Sequence, residues 1–387
     1  MLKKVFILLL AALLCVPALS GCSIGNNDTD TDSSGSVTET QPMSEEISDD
    51  HQTDPSAETE SDEPEDPVDE PEEKAIDIYF ITGQSNATGN SKITDTQALS
   101  AFAPEAMTGF KNIYYAGNSR SNGSQPRDRI IEWQNVTIGL GSNSTCIGPE
   151  VGMAKAFSVY YNEETGKEAG LIKYAYNGSS LLNKTSGNTD GDGNWVSPSY
   201  QRRLPEDEIV ENVTGQMYRN FMAQAETNLS ELIEAGYTKI RICGMYWMQG
   251  CSNKTDPATY EFAFPYFARD VRLDLAEIMK RLTGTNDDCG AANMPIVVGT
   301  ISQTQSLINA SVENTNIAFI EMQKRLADKV EGCYVVDNSA FRISGWENNQ
   351  TVIYGSDKWH WNQADALTIG KNVGDVLLAH AGLDPIE

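Results

Sequence analysis

From residue 75 to the C-terminus the chain repeats one pattern: a short apolar run, a polar turn, then a stretch with apolar residues at helical spacing. "IDIYFITG", "EAGLIKYAYNG", "KIRICGMYWMQG", "MPIVVGTIS" and "CYVVDNS" read as strands. Between and after them, "EVGMAKAFSVYYNEETG", "VTGQMYRNFMAQAETNLSELIEAG", the second half of "YEFAFPYFARDVRLDLAEIMKRLTG", "TNIAFIEMQKRLADKV" and "NQADALTIGKNVGDVLLAHAG" read as helices. Pro149 suits the start of the first helix and Gly166 its end. Strands in alternation with helices predict a parallel sheet covered on both faces. Right-handed crossovers make that a doubly wound, mainly parallel α/β domain over 75–387, interrupted by long polar insertions at about 88–148 and 178–212.

What precedes this domain is different material. Lys3 and Lys4 lead into "VFILLLAALLCVPAL", about the length of a signal-peptide core and short for a membrane span. "LSGC" then ends at Cys22 and resembles the lipobox of bacterial lipoproteins, in which the Cys sulfur takes a lipid. The expectation is a lipoprotein signal peptide at 1–21, lipidation of Cys22, and an exported protein anchored to the outer face of a bacterial membrane. Residues 22–74 carry 19 acidic residues and one Lys. With almost no apolar residue, this segment cannot offset its chain entropy by burial, which predicts a disordered acidic tether. It holds most of the net charge of −27. The remainder has no basic patch with interleaved aromatics, so nucleic acid is not an expected partner.

In open parallel sheets, ligands bind beyond the carboxyl ends of the strands. The segments at those ends, "GQSN", "NGSS", "QGCSN", "SQTQS" and "DNSAF", are rich in amides and hydroxyls. Ser85, in "GQSN", is a candidate nucleophile, but such a Ser needs a base within hydrogen-bond reach. Of three His residues, His51 lies in the tether and His380 in the last helix. His360 lies in "YGSDKWHWNQAD", three residues after Asp357. An Asp and a His at that spacing in a turn can face one site, the Asp orienting the imidazole.

The ordered set "GQSN", "GPE" (148–150), "YAYNGSSL", "WMQG" and "DxxH" resembles the SGNH hydrolase superfamily, most closely the branch of sialate O-acetylesterases and carbohydrate esterase family 6 acetyl xylan esterases. The resemblance implies an esterase with Ser85 as nucleophile, His360 as base and Asp357 as its partner. It implies an oxyanion hole from the backbone N–H of Ser85, the backbone N–H of Gly178 and the side chain of Gln249, with no cofactor and no metal. Gln84, Asn86, Trp359 and Trp361 flank these residues and are the candidate substrate contacts. Trp133, Trp195 and Trp346 are further loop Trp residues that could line a cleft or cover the core edge. An acetylated glycan is the expected substrate.

Two positions depart from the family pattern. Cys251 stands where Glu is usual after Gln-Gly, and Asn253 where Asp is common. If that Glu braces the Gln or the His, the brace is missing or replaced. Five Cys follow Cys22, an odd number. A Cys146–Cys251 disulfide could fix the altered loop. Cys289 and Cys333 could pair if their strands are neighbours, and Cys243 reads as a small buried apolar residue. Three functions stay open: a carbohydrate O-acetylesterase acting on acetylated xylan or a related glycan, a sialate O-acetylesterase or other short-chain esterase of the superfamily, and a glycan-binding lipoprotein that has lost its activity.

Overall fold

The structure is a computed structural model in which residues 73–120, 128–183, 193–307, 309–343 and 357–383 are described. The segment expected to be a signal peptide, Cys22, nearly all of the expected acidic tether, His51 and Trp346 lie outside the described residues.

The sheet has seven strands in the order β4-β3-β6-β1-β7-β8-β9. They are β1 (Lys74–Gly83), β3 (Ile113–Arg120), β4 (Asp128–Asn135), β6 (Ala169–Tyr176), β7 (Tyr237–Met248), β8 (Ile296–Gly299) and β9 (Cys333–Val336). A separate pair joins β2 (Ser91–Lys92) to β5 (Cys146–Ile147). All neighbours in the main sheet run parallel except β4, which is antiparallel to β3 at one edge. β1 and β6 explain their apolar sequences: Ile78, Tyr79, Phe80, Ile81, Leu171 and Ile172 are buried with no exposed surface.

The helices are α1 (Ser85–Thr88), α2 (Thr96–Phe102), α3 (Glu105–Thr108), α4 (Pro149–Phe157), α5 (Pro198–Gln201), α6 (Gln216–Glu234), α7 (Pro257–Thr283), α8 (Ala310–Arg325) and α9 (Gln363–His380). α4 packs on α9, while α6 packs on α7 and α7 on α8. The α4–α9 seam is backbone against backbone. A Cβ on Gly152 would lie 2.2 Å from the Leu367 carbonyl oxygen, and one on Gly370 would lie 2.3 Å from that of Pro149.

Three elements differ from the sequence reading. The insertion at 88–148 contributes β3 and β4 to the sheet. Polar positions such as Asn118 on β3 and Arg129 on the edge strand β4 hide that pattern. α4 ends at Phe157, and turns fill the distance to Gly166. α7 runs unbroken through Pro265. Burial of Tyr260, Phe264, Phe267, Ala268 and Val271 on both sides of the proline outweighs a local cost of about 3 kcal/mol.

Candidate active site

The central strands bring three of the amide-rich segments together. Gly83, the last residue of β1, pairs with Ala175 of β6 on one side and Met248 of β7 on the other. The residues that follow, Gln84-Ser85, Asn177-Gly178 and Gln249-Gly250, therefore leave the sheet side by side. Gly83 has φ +133°, and a Cβ there would fall 2.1 Å from the Met248 carbonyl oxygen, so only glycine fits. Past this turn the chain enters α1 at once, with Ser85 as its first residue. The first N–H groups of a helix lack intrahelical acceptors, so the Ser85 N–H is available in the way an oxyanion donor must be.

Gln84 is 2 % exposed. Its Oε1 accepts from the Gly250 N–H at 3.1 Å and from the Ser252 N–H at 3.4 Å. The sequence reading set Gln84 as a substrate contact. Its carbonyl is instead turned inward, where it holds the neighbouring loop. Asn86 Nδ2 donates to the Trp359 carbonyl oxygen at 3.2 Å. That bond joins the residue after Ser85 to the residue before His360.

The His360 loop is organised by Asp357. Its Oδ1 accepts from the N–H groups of Trp359 at 2.9 Å and His360 at 3.1 Å, and its Oδ2 lies 2.7 Å from His360 Nδ1. Burial would raise the Asp357 pKa, but the hydrogen bond and charge of His360 and the two backbone N–H groups prevail and hold it below the usual carboxylate range. An ionised Asp357 requires a proton on Nδ1, which leaves Nε2 as the basic nitrogen. Gln305 Nε2 also donates to the Trp359 oxygen at 3.0 Å. Gln363 ties the start of α9 to the loop after β2: its Oε1 accepts from Thr94 N at 2.8 Å and Asp95 N at 3.0 Å, and its Nε2 donates to Asp95 O at 2.7 Å.

Gly178 takes φ +71°, and its carbonyl accepts from Ser252 Oγ at 2.9 Å. Asn90 Nδ2 bridges Ser85 O at 2.9 Å and Asn177 Oδ1 at 3.0 Å, linking the Ser85 turn to this loop. Gln249 departs from its expected role. It is fully buried, and its Nε2 donates to Ser179 O at 3.0 Å and to Asn253 Oδ1 at 2.7 Å. Its amide hydrogens thus serve the loop at 179–181 and Asn253. Asn253 braces the Gln: its Oδ1 also accepts from Leu181 N at 3.0 Å, and its Nδ2 donates to Ser180 Oγ at 2.8 Å. The brace that the sequence reading feared lost with the Cys251 change is supplied two residues later.

The two Trp residues around His360 separate. Trp359 is 47 % exposed, with Lys254 Nζ 5.8 Å from its ring centroid. Trp361 is 3 % exposed and forms a bridge with Ile343, so it belongs to the core and not to a substrate surface. Trp195 is also buried, its Nε1 donating to Ser179 Oγ at 2.8 Å beneath the Gly178 loop. Lys254 donates to Ser306 Oγ at 2.6 Å and Gln305 O at 3.4 Å. Ser306 adopts φ +46°, a conformation uncommon outside glycine.

All five described cysteines are unpaired. Cys146 lies in β5 opposite Lys92, whereas Cys251 is buried after β7. Burial pushes the Cys251 thiol up to about 12, against the opposing pull of Gln305 and Lys254. β9 does lie beside β8, with Cys333 opposite Ile296. Cys289, however, is held at β7 through its carbonyl, which accepts from Ile242 N at 2.8 Å. His380 stacks on Tyr334 at 3.6 Å between ring centroids, far along α9 from the His360 loop. Among the described residues, no group of three or more His, Cys, Asp or Glu side chains is placed to hold a metal ion.

Gln305, Gln363, Asn90 and Lys254 were not singled out from the sequence. "SQTQS" was marked as a strand-end segment, which is the signal that could have found Gln305.

The fold is similar to that of NanS, with 12 % identity, a TM-score of 0.50, and coverage of 79 % of this chain and 98 % of that one. Two further similarities are to a protein from Arabidopsis thaliana (15 % identity, TM-score 0.41, 79 % and 98 % covered) and to a carbohydrate acetylesterase from Xanthomonas citri (14 %, 0.39, 79 % and 56 %). None of the curated proteins matches the chain. Residues 75–378 match the family described as carbohydrate esterase, sialic acid-specific acetylesterase. That match takes in all the strand-end segments assembled here, and the chain belongs to this family of carboxylic ester hydrolases.

Proposed function

We propose that this protein removes O-acetyl groups from glycans through an acetyl-enzyme on Ser85. The observation that carries the assignment is the Asn86–Trp359 hydrogen bond, which joins the Ser85 turn to the Asp357–His360 loop. His360 Nε2 takes the Ser85 hydroxyl proton as Oγ attacks the acetyl carbonyl. The resulting oxyanion is met by the N–H groups of Ser85 and Gly178, each such donor being worth roughly 2.7 to 4 kcal/mol in acyl transfer. His360 then protonates the departing sugar oxygen. Water, deprotonated by the same nitrogen, attacks the acetyl-enzyme and releases acetate. The exposed ring of Trp359 offers a face for a sugar beside the reacting groups. In this reading the enzyme is exported and tethered through a lipid on Cys22, which suits polymeric substrates such as acetylated xylan that stay outside the cell.

One observation favours a second substrate. Lys254 places a cation beside Trp359, where the carboxylate of an O-acetylated sialic acid could pair with it. Hydrolysis of p-nitrophenyl acetate by wild type and by Ser85→Ala tests the chemistry. Acetate release from acetylated xylan and from O-acetylated sialic acid then decides the substrate. Equal rates for wild type and Ser85→Ala would overturn the proposal.

A further inference from the structure

Behind the nucleophile's turn lies an ion pair with no access to solvent. Lys173, in the middle of β6, and Glu150, in the first turn of α4, are both fully buried, with Nζ 3.1 Å from Oε2. Nζ also donates to Thr88 O at 3.0 Å and Leu140 O at 3.1 Å. An ammonium has three hydrogens, and these three acceptors take all of them. The other Glu150 oxygen accepts from Gly148 N at 2.8 Å. The Tyr115 ring lies 5.2 Å from Nζ.

Stability is a poor explanation for this arrangement. Desolvating two charges offsets most of what their attraction returns, and well-packed apolar replacements are often as stable. Its location suggests another purpose. Thr88 is the last residue of α1 and Ser85 the first. A single helical turn does not hold its shape unaided. Its final carbonyls lack intrahelical donors, and a cation at that end is favourable. Lys173 meets this need from the centre of a strand, and Glu150 holds the same ammonium at 3.1 Å. We infer that Lys173 and Glu150 are positioning residues that lock the α1 turn and thereby hold the Ser85 hydroxyl in register with His360. The inference rests on the esterase reading of Ser85 but concerns groups that never touch substrate.

The test compares wild type with Lys173→Met and with the double variant Lys173→Met/Glu150→Leu. It measures kcat and KM for p-nitrophenyl acetate, Tm, and amide hydrogen exchange of residues 84–90. In Lys173→Met, kcat should fall about 10- to 100-fold, the scale of a small misplacement of a reacting group. KM should stay within about twofold, and exchange in 84–90 should rise while α6 and β7 stay protected. The double variant, which leaves no buried charge unpaired, should recover Tm but not kcat. If Lys173→Met does not fold, the double variant carries the comparison alone. Recovery of both Tm and kcat, or unchanged exchange at 84–90 in a folded double variant, would overturn the inference. An inactive wild type would count against the esterase reading instead, and the exchange measurement would still decide the positioning role.

Discussion

Asn86 Nδ2 and the carbonyl oxygen of Trp359 meet at 3.2 Å although 273 positions of chain separate them. Asn86→Ala removes this tie and leaves Gln305 as the other side chain shown bonded to that oxygen. We expect kcat on p-nitrophenyl acetate to fall about 10- to 100-fold through loosened geometry. KM should change little, because the lost bond is between two parts of the enzyme. Steady-state kinetics checks this, and an unchanged kcat would show that the loop is held by other contacts.

Asp357→Asn should cost about 10⁴ in kcat, by favouring the wrong imidazole tautomer while leaving the geometry in place. The same residue has a pH signature. Its folded pKa lies below the unfolded value of about 3.9. Ionised Asp357 therefore adds stability that is present above the unfolded value and lost as pH falls through the folded one. The Tm difference between wild type and Asp357→Asn should be constant near neutrality and shrink in strong acid. A difference that grows on acidification would contradict the assignment.

Asn253→Ala should destabilise the protein as well as slow it. The substitution removes the acceptor for Gln249 and Leu181 and the donor to Ser180, all buried. Each stranded buried polar group costs about 1–3 kcal/mol. Urea unfolding should therefore show a lowered midpoint, and a variant that loses activity at full stability would argue that Asn253 acts on substrate.

Lys254→Met should act on substrate choice. Activity on O-acetylated sialic acid should drop about tenfold relative to acetylated xylan, with little effect on p-nitrophenyl acetate. Burial lowers the Lys254 pKa, so any preference of the wild type for the acidic sugar should fade on the alkaline side at a lower pH than an ordinary Lys would give. Equal losses on both glycans would assign Lys254 to loop structure.

The thiols of Cys251 and Cys333 should be silent in the folded protein. With Cys251 pushed up to about 12 and Cys333 likewise, alkylation at neutral pH should be slow until the chain is unfolded. Intact mass should not change on adding reductant. A gain of two protons would restore the disulfide that the sequence suggested.

The parallel core was legible because β1, β6 and the second half of β7 are, Lys173 apart, mostly apolar and buried on both faces, which few other folds require. The His360–Asp357 pairing was legible because the sequence offers few His residues, and His360 alone lies in a loop of the α/β domain with an Asp three residues before it. The β3–β4 edge was not, since a half-solvated hairpin is compositionally a loop. Gln249 and Gln84 were misassigned for a related reason. An amide can face substrate or backbone with the same spacing, and only the partners it finds decide which. Trp361 shows the same limit, since positions two apart in one loop put the Trp359 indole outside and the Trp361 indole in the core.

The glycine seam between α4 and α9 has a practical side. Peptide planes that meet without intervening side chains leave no slack for one helix to slide along the other, so the scaffold beneath the His360 loop should behave as a fixed foundation. Attempts to broaden what the enzyme accepts are better directed at the exposed rim around Trp359 and Lys254, where a changed side chain alters the guest without shifting the house.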